Sequence, residues 1–157
     1  MESNRKIIET FYTAFQRGNV DEMISCYHKD ILFEDPAFGK LKGEDAKNMW
    51  RMLMERSKGE IQISFKDIEA DDTKGTANWE AKYFFSKTGR PVHNKIQANF
   101  LFKDGKIIKH TDKFNLWKWS SMALGAVGLL LGFTPFIKNK VRSNALAQLE
   151  KYKEMTV

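Results

Sequence analysis

Three side chains in this sequence have the chemistry for moving protons inside an apolar setting: Asp35, His110 and Asp112. His110 and Asp112 stand two apart in a stretch, residues 107–117, that alternates with period two. As a strand it places both on one face with Ile108, Phe114 and Leu116. The opposite set, Ile107, Lys109, Thr111, Lys113 and Asn115, is mostly polar, so the first face is expected to look inward. An ionisable group buried there costs several kcal/mol unless it is paired or shifts its pKa. That is the setting of a general acid–base pair beside an apolar pocket. A structural pair at a solvated rim is the alternative reading. Two positions along a strand separate side chains by about 6–7 Å, so both can reach one ligand without touching each other. Asp35 ends the apolar run Ile31-Leu32-Phe33-Glu34 and precedes Pro36, which holds its backbone extended. It reads either as a carboxylate at a pocket entrance or as an aspartate capping a turn.

Other chemistries find less support. A metal site from His110, Asp112 and Asp35 lacks dense ligand spacing, so no metal is expected. There is no G-x-S-x-G, no cysteine with an evident histidine partner, and no phosphate-cradling, nucleotide or flavin motif, so no cofactor is expected. His93 falls on a polar set and reads as exposed, and Glu80 shares a polar face with Asn78 and Lys82. The one cysteine, Cys26, reads as a buried inert thiol. With no signal-peptide pattern, a cytoplasmic location is the expectation. The net charge of +6 is scattered apart from Lys138, Lys140 and Arg142, and no recognition motif accompanies it, so nucleic acid is not an expected partner.

The elements that must position these groups follow from the hydrophobic period. The 157 residues, 42% hydrophobic with twelve Phe and four Trp, suit one domain with an aromatic core. Ile7, Ile8, Phe11 and Phe15 recur at helical spacing until Gly18. Asn19, with Glu22 three residues on, caps a second short helix with the stripe Val20, Met23, Ile24 and Tyr27. Residues 31–36 read as a short extended piece and the stretch around Gly39 and Gly43 as a loop. A third helix from about Glu44 carries Ala46, Met49, Trp50 and Leu53 on one face. From Glu60 the period becomes two, through strands centred on Ile63, Trp79, Ala98 and His110, joined by turns at Gly75, Gly89 and Asp104-Gly105. This predicts an antiparallel meander. A curved sheet closed on one face by the early helices makes a cone. Its pocket is expected to be lined by Phe11, Phe15, Trp50, Trp79, Tyr83, Ile96, Phe100 and Phe114.

The helical period returns after Trp119. Residues 119–137 are nineteen without a charge, near the length of a membrane span. Ser120, Ser121, three glycines and Pro135 argue instead for a buried or interface helix ending near Gly132, with an interfacial membrane contact as the alternative. Gly128 and Gly132 have the small-residue spacing that lets helices pack closely. Thr134 and Pro135 open a last helix with the stripe Ile137, Val141, Leu146, Leu149 and Tyr152.

The paired first helices, the segment Phe33-Glu34-Asp35-Pro36-Ala37-Phe38-Gly39, the four-strand meander and the ending His110-Thr111-Asp112-Lys113-Phe114-Asn115-Leu116-Trp117 resemble the nuclear transport factor 2-like superfamily. The similarity is to its SnoaL-like polyketide cyclase and ketosteroid isomerase branches, over roughly residues 3–118. It implies an α+β fold, a curved antiparallel sheet wrapped around N-terminal helices in a cystatin-like cone, with two extra C-terminal helices. The cone domain is expected at 1–118 and a helical extension packed on it at 119–157. In the isomerases the general base is the aspartate of E-D-P, here Asp35. Their oxyanion-hole tyrosine and aspartate fall on Phe11 and near Ala98, neither of which can donate, and losing one such donor costs about 10²–10³ in rate. Tyr12, one residue on, points about 100° away. In SnoaL-like cyclases a late-strand aspartate serves as acid or base, and Asp112 matches it, with His110 beside it. The resemblance therefore implies a small-molecule pocket protein that transfers protons on a small apolar substrate, as isomerase, cyclase or hydrolase. A non-catalytic ligand-binding or dimerisation module is the alternative, and a homodimer is expected.

Overall fold

The computed structural model describes residues 2–156. Helices α1 (Glu2–Gln16), α2 (Val20–Ser25) and α3 (Glu44–Ser57) lie against a six-stranded sheet. The strands are β1 (Tyr27–Asp35), β2 (Gly39–Lys42), β3 (Gln62–Ala70), β4 (Lys74–Phe84), β5 (Pro91–Lys103) and β6 (Lys106–Lys113), in the spatial order β2-β1-β6-β5-β4-β3. The sheet curves around the helices without closing into a barrel. Ile8, Phe11, Tyr12 and Phe15 of α1 and Met49 and Trp50 of α3 are buried in its hollow against Phe33, Ala98 and Phe100. Burying each large apolar side chain contributes about 1.5–3 kcal/mol, and this aromatic filling is what holds the curved sheet to its helices.

The meander β3 to β6 is antiparallel throughout, as the alternation predicts. The start of the sheet differs. Helix α2 stops at Ser25, and Tyr27, expected on its apolar stripe, opens β1 instead. Strand β1 runs nine residues and lies parallel to β6, which makes the sheet mixed rather than antiparallel. The expected loop around Gly39 is β2, folded back on β1 so that Asp35 faces Gly39 across the hairpin. Near its start β6 carries an irregularity: Leu101 pairs with Lys109 but Phe102 with Ile107, so Ile108 is the extra residue of a bulge. This inverts the expected placing of these two residues. Ile107 is fully buried and Ile108 only half so, while His110 and Asp112 keep the inward face.

The tail departs most. Strand β6 ends at Lys113, short of the expected Trp117, because the Asn115 side chain accepts from the Lys118 N–H at 3.1 Å and starts α4 (Leu116–Leu124). The single glycine-bearing helix expected to reach Gly132 is broken at Gly125, whose φ of 69° and ψ of −134° suit only glycine. The chain turns back as α5 (Ala126–Leu131), packed on α4. A Cβ on Gly128 would sit 1.9 Å from the Ser120 carbonyl oxygen, so only glycine allows this approach. Helix α6 (Pro135–Met155) follows, capped by Thr134, and packs on α3. Among the described residues no helix is long and apolar enough to cross a membrane.

Candidate active site

Between the open side of the sheet, α3 and α6 lies a cavity of about 550 Å³. Trp50 and Leu53 of α3, Trp79 and Tyr83 of β4 and Ile96 of β5 wall it on one side. Ile137, Val141 and Ala145 of α6, with Trp119 of α4, wall it on the other. Three acidic residues line this mostly apolar space: Glu60, which is exposed, Asp35 from the end of β1 and Asp112 from β6.

Asp112 is 4% exposed and His110 is fully buried, so the histidine stands behind the aspartate and off the cavity wall. The pair is in contact: His110 Nε2 lies 2.9 Å from Asp112 Oδ1, and the Trp79 Nε1–H donates to the same oxygen at 3.3 Å. On its other side His110 Nδ1 is 2.7 Å from the Tyr27 hydroxyl, which accepts from the Trp50 Nε1–H at 2.9 Å. An indole can only donate, so the Tyr27 oxygen is the acceptor there and its own hydrogen is free to go to Nδ1. Nδ1 is then an acceptor and Nε2 carries the proton that Asp112 receives. This is the one arrangement that satisfies every member of the chain with Asp112 ionised. Trp50, Tyr27, His110 and Asp112 thus form a buried relay that ends on Asp112 at the cavity wall. Burial, and after it the charge of Asp112, holds the Tyr27 phenol well above its ordinary range, although the Trp50 bond opposes the shift. The phenol therefore stays protonated and keeps its role as donor.

Asp35 both lines the cavity and caps the turn after β1, its Oδ1 accepting from the Phe38 N–H at 2.6 Å. The half-buried carboxyl is pushed up to about 7, first by burial and further by the negative charge of Asp112. The Phe38 and Ala37 N–H groups and the Arg142 guanidinium of α6 pull the other way. Asp35 and Asp112 therefore meet the same cavity in different settings. Asp112 is supplied with two donors, and Asp35 is poised between its protonated and ionised forms near neutrality.

Of the aromatic and apolar candidates, Phe15, Trp50, Trp79, Tyr83, Ile96 and Phe114 line the cavity. Phe11 and Phe100 do not; they are buried in the core, their rings 5.5 and 4.6 Å from that of His110. Tyr12 is also off the wall, stacked on Phe65, and its buried hydroxyl has no partner among the described residues. His93 is on the outer face of the sheet with Glu80, 2.6 Å away. Cys26 is buried at the end of α2, its thiol pushed up to about 11 chiefly by burial. Among the described residues no three His, Cys, Asp or Glu side chains gather as metal ligands would.

Sequence reasoning missed three contributors. Tyr27 was hidden by its apparent place on a helix. The α6 wall depends on how the tail packs, which no local pattern reports. Asn94 lies on the same alternating set as Ile96 and Ala98, and that was the available signal. It is buried, it lines the cavity, and among the described residues its side-chain amide has no hydrogen-bond partner.

The fold is shared with many solved structures. A candidate polyketide cyclase from Xanthomonas campestris superposes with a TM-score of 0.63 at 20% identity, over 77% of this chain and 96% of that one. An epoxide hydrolase from M. tuberculosis, described as LEH-like, gives 0.61 at 20% identity, over 83% and 96%. A candidate isomerase from Bacillus subtilis gives 0.61 at 17% identity, over 79% and 94%. At these identities the likeness is one of fold. No curated protein matches the chain. The model of the SnoaL-like domain family matches residues 8–110, from within α1 into β6, a span that carries Asp35 and His110 and stops two residues before Asp112. The chain belongs to the SnoaL-like domain family.

Proposed function

We propose that this protein is a cofactor-independent acid–base enzyme that moves a proton on a small, mostly apolar carbonyl or epoxide compound held in the cavity. The observation that carries this reading is the relay Trp50–Tyr27–His110–Asp112, which fixes a carboxyl group at the wall of a mostly apolar cavity that Asp35 also lines. His110, from the relay, and Trp79 both reach Oδ1 of Asp112, which leaves Oδ2 for substrate. With a carbonyl substrate, Oδ2 takes a proton from the carbon beside the carbonyl, and protonated Asp35 gives one to the carbonyl oxygen. Where the substrate carries a β,γ double bond, the enol is a dienol; its hydroxyl proton returns to Asp35, the Asp112 proton is delivered to the γ-carbon, and the double bond moves into conjugation, which completes an isomerisation. With an epoxide, Asp35 gives its proton to the ring oxygen while Asp112 takes one from the attacking water. His110 and Trp79 act through Asp112 as positioning residues, and the free amide of Asn94 is a donor for the substrate oxygen. The thiol of Cys26 takes no part, and a reducing cytoplasm suits it.

A panel of apolar ketones and epoxides, followed by deuterium uptake from heavy water and by diol formation, tests the reading. Wild type is expected to turn over members of one class, and Asp112→Asn, with unchanged circular dichroism, is expected to lose about 10²–10⁴-fold in rate. Full activity in Asp112→Asn would remove Asp112 from the mechanism.

One observation favours a second reading, a non-catalytic binder. Phe11 and Ala98 are both fully buried, and Ala98 pairs directly opposite Asp112, so the places where the resemblance puts oxyanion donors hold none. Native mass spectrometry separates the two. An unaltered small molecule retained equally by wild type and Asp112→Asn, with no turnover in the panel, supports the binder.

A further inference from the structure

We propose that the α4–α5 hairpin and the first turn of α6 form a docking surface for an anionic lipid bilayer. The proposal stands apart from the acid–base reading and does not depend on it. Soluble surfaces carry scattered apolar residues, but a contiguous apolar patch marks a contact. Here Leu129, Leu130, Leu131 and Phe133 are followed by Phe136, and the largest of them are bare: Leu130 is 68% exposed, Phe133 60% and Phe136 69%. All five lie within eight consecutive positions, the three leucines on α5 of a hairpin closed by Gly128 against Ser120, Phe133 just after it and Phe136 in the first turn of α6.

Charge selects the occupant. Between Asp112 and Glu150 the chain has five basic residues, Lys113, Lys118, Lys138, Lys140 and Arg142, and no acidic one. Lys118 is on α4, beside Trp117, and Lys138 follows Phe136 in α6; both are exposed. A second copy of this chain would bring the same positive charge to the contact, whereas an anionic lipid surface supplies the opposite charge and an apolar layer beneath it. The depth fits as well. Six-residue α5 is about 9 Å long, the scale of the headgroup and upper acyl region and far short of a span. Its backbone groups are already bonded, Leu129 N–H to the Gly125 carbonyl at 3.0 Å and Gly132 N–H to the Gly128 carbonyl at 2.8 Å, so immersion leaves few of them unsatisfied. Trp117 donates its indole N–H to the Leu129 carbonyl at 3.0 Å and leaves part of its ring exposed, the two-sided character aromatic residues use at membrane interfaces. In the same turn of α6 that carries Phe136, Ile137 and Lys140 face the cavity, so the docking surface adjoins its rim.

Flotation of the full chain with vesicles tests this. Vesicles of phosphatidylcholine with about 30% phosphatidylglycerol are expected to carry the protein, with at least tenfold weaker association to pure phosphatidylcholine and at high salt. Leu130→Ser with Phe133→Ser and Phe136→Ser should reduce binding at least about tenfold while the thermal melt stays at the wild-type position. Lys118→Gln with Lys138→Gln should weaken binding to the anionic vesicles only. No association with anionic vesicles overturns the proposal, as does association that ignores lipid charge and all five substitutions. Light scattering that shows a wild-type dimer turned monomeric by the triple serine variant would assign the patch to a second copy, and that too overturns it.

Discussion

The closed end of the cone and the tail hairpin use large apolar side chains in opposite ways. Around His110 the rings of Phe11, Tyr27, Phe33, Trp50 and Phe100 all lie within 6.2 Å, all buried. Phe133 and Phe136 in the tail are solvent-facing. The inner rings fill a hollow that sheet curvature creates, and they leave an imidazole and a phenol one permitted geometry each. The outer rings pack against little of this chain, so they add reach to it rather than order. The same residue type therefore serves preorganisation in one place and contact in the other, and burial tells them apart.

The largest expected effect that sharpens this contrast is at Trp50. Trp50→Ala removes the ring stacked on His110 and the donor to Tyr27, and should cost about 3–5 kcal/mol in chemical denaturation. Leaving stability within 1 kcal/mol would break the idea that the inner rings hold the relay. Next comes Asp35→Asn. The folded carboxyl titrates near 7 against 3.8 as the ordinary value, so the folded state binds the extra proton between those limits. Ionising Asp35 therefore costs stability that is absent below about pH 4 and fully felt above pH 7. Asparagine keeps the acceptor for the Phe38 N–H, so the variant should be about 2–4 kcal/mol more stable than wild type at pH 8 and nearly equal at pH 4. A pH-independent difference would remove the shifted carboxyl. The smallest effect is at Leu130, where serine should change stability by less than about 0.5 kcal/mol.

The readable part of this molecule is the part with strict period two. Strands β3 to β6 and the shared inward face of His110 and Asp112 follow from alternation alone. The start of β1 does not, because His28, Lys29 and Asp30 break the apolar pattern and Tyr27 continues a helical stripe. The hairpin strand β2 hides between two glycines that read as a loop. Gly125 breaks a helix inside an uninterrupted apolar run, where only the approach of Gly128 to Ser120 requires the turn. The placing of Ile107 follows a bulge, and bulges leave little trace in composition. At the site, strand spacing left the contact between His110 and Asp112 open. It closes because the ring is held from behind by the Tyr27 hydroxyl, a partner 83 residues away. Long-range partners of this kind are set by packing and have no local signal.

The central claim is that His110 acts only through Asp112, which performs the proton transfer. A double-mutant cycle on turnover, with kcat and KM separated, tests it most directly. The account predicts that His110→Gln lowers kcat by about 10–10³-fold with KM little changed, that Asp112→Asn takes the rate to its floor, and that the double variant is no slower than Asp112→Asn alone. Independent, multiplying losses, or an Asp112→Asn enzyme with the wild-type rate, would contradict it.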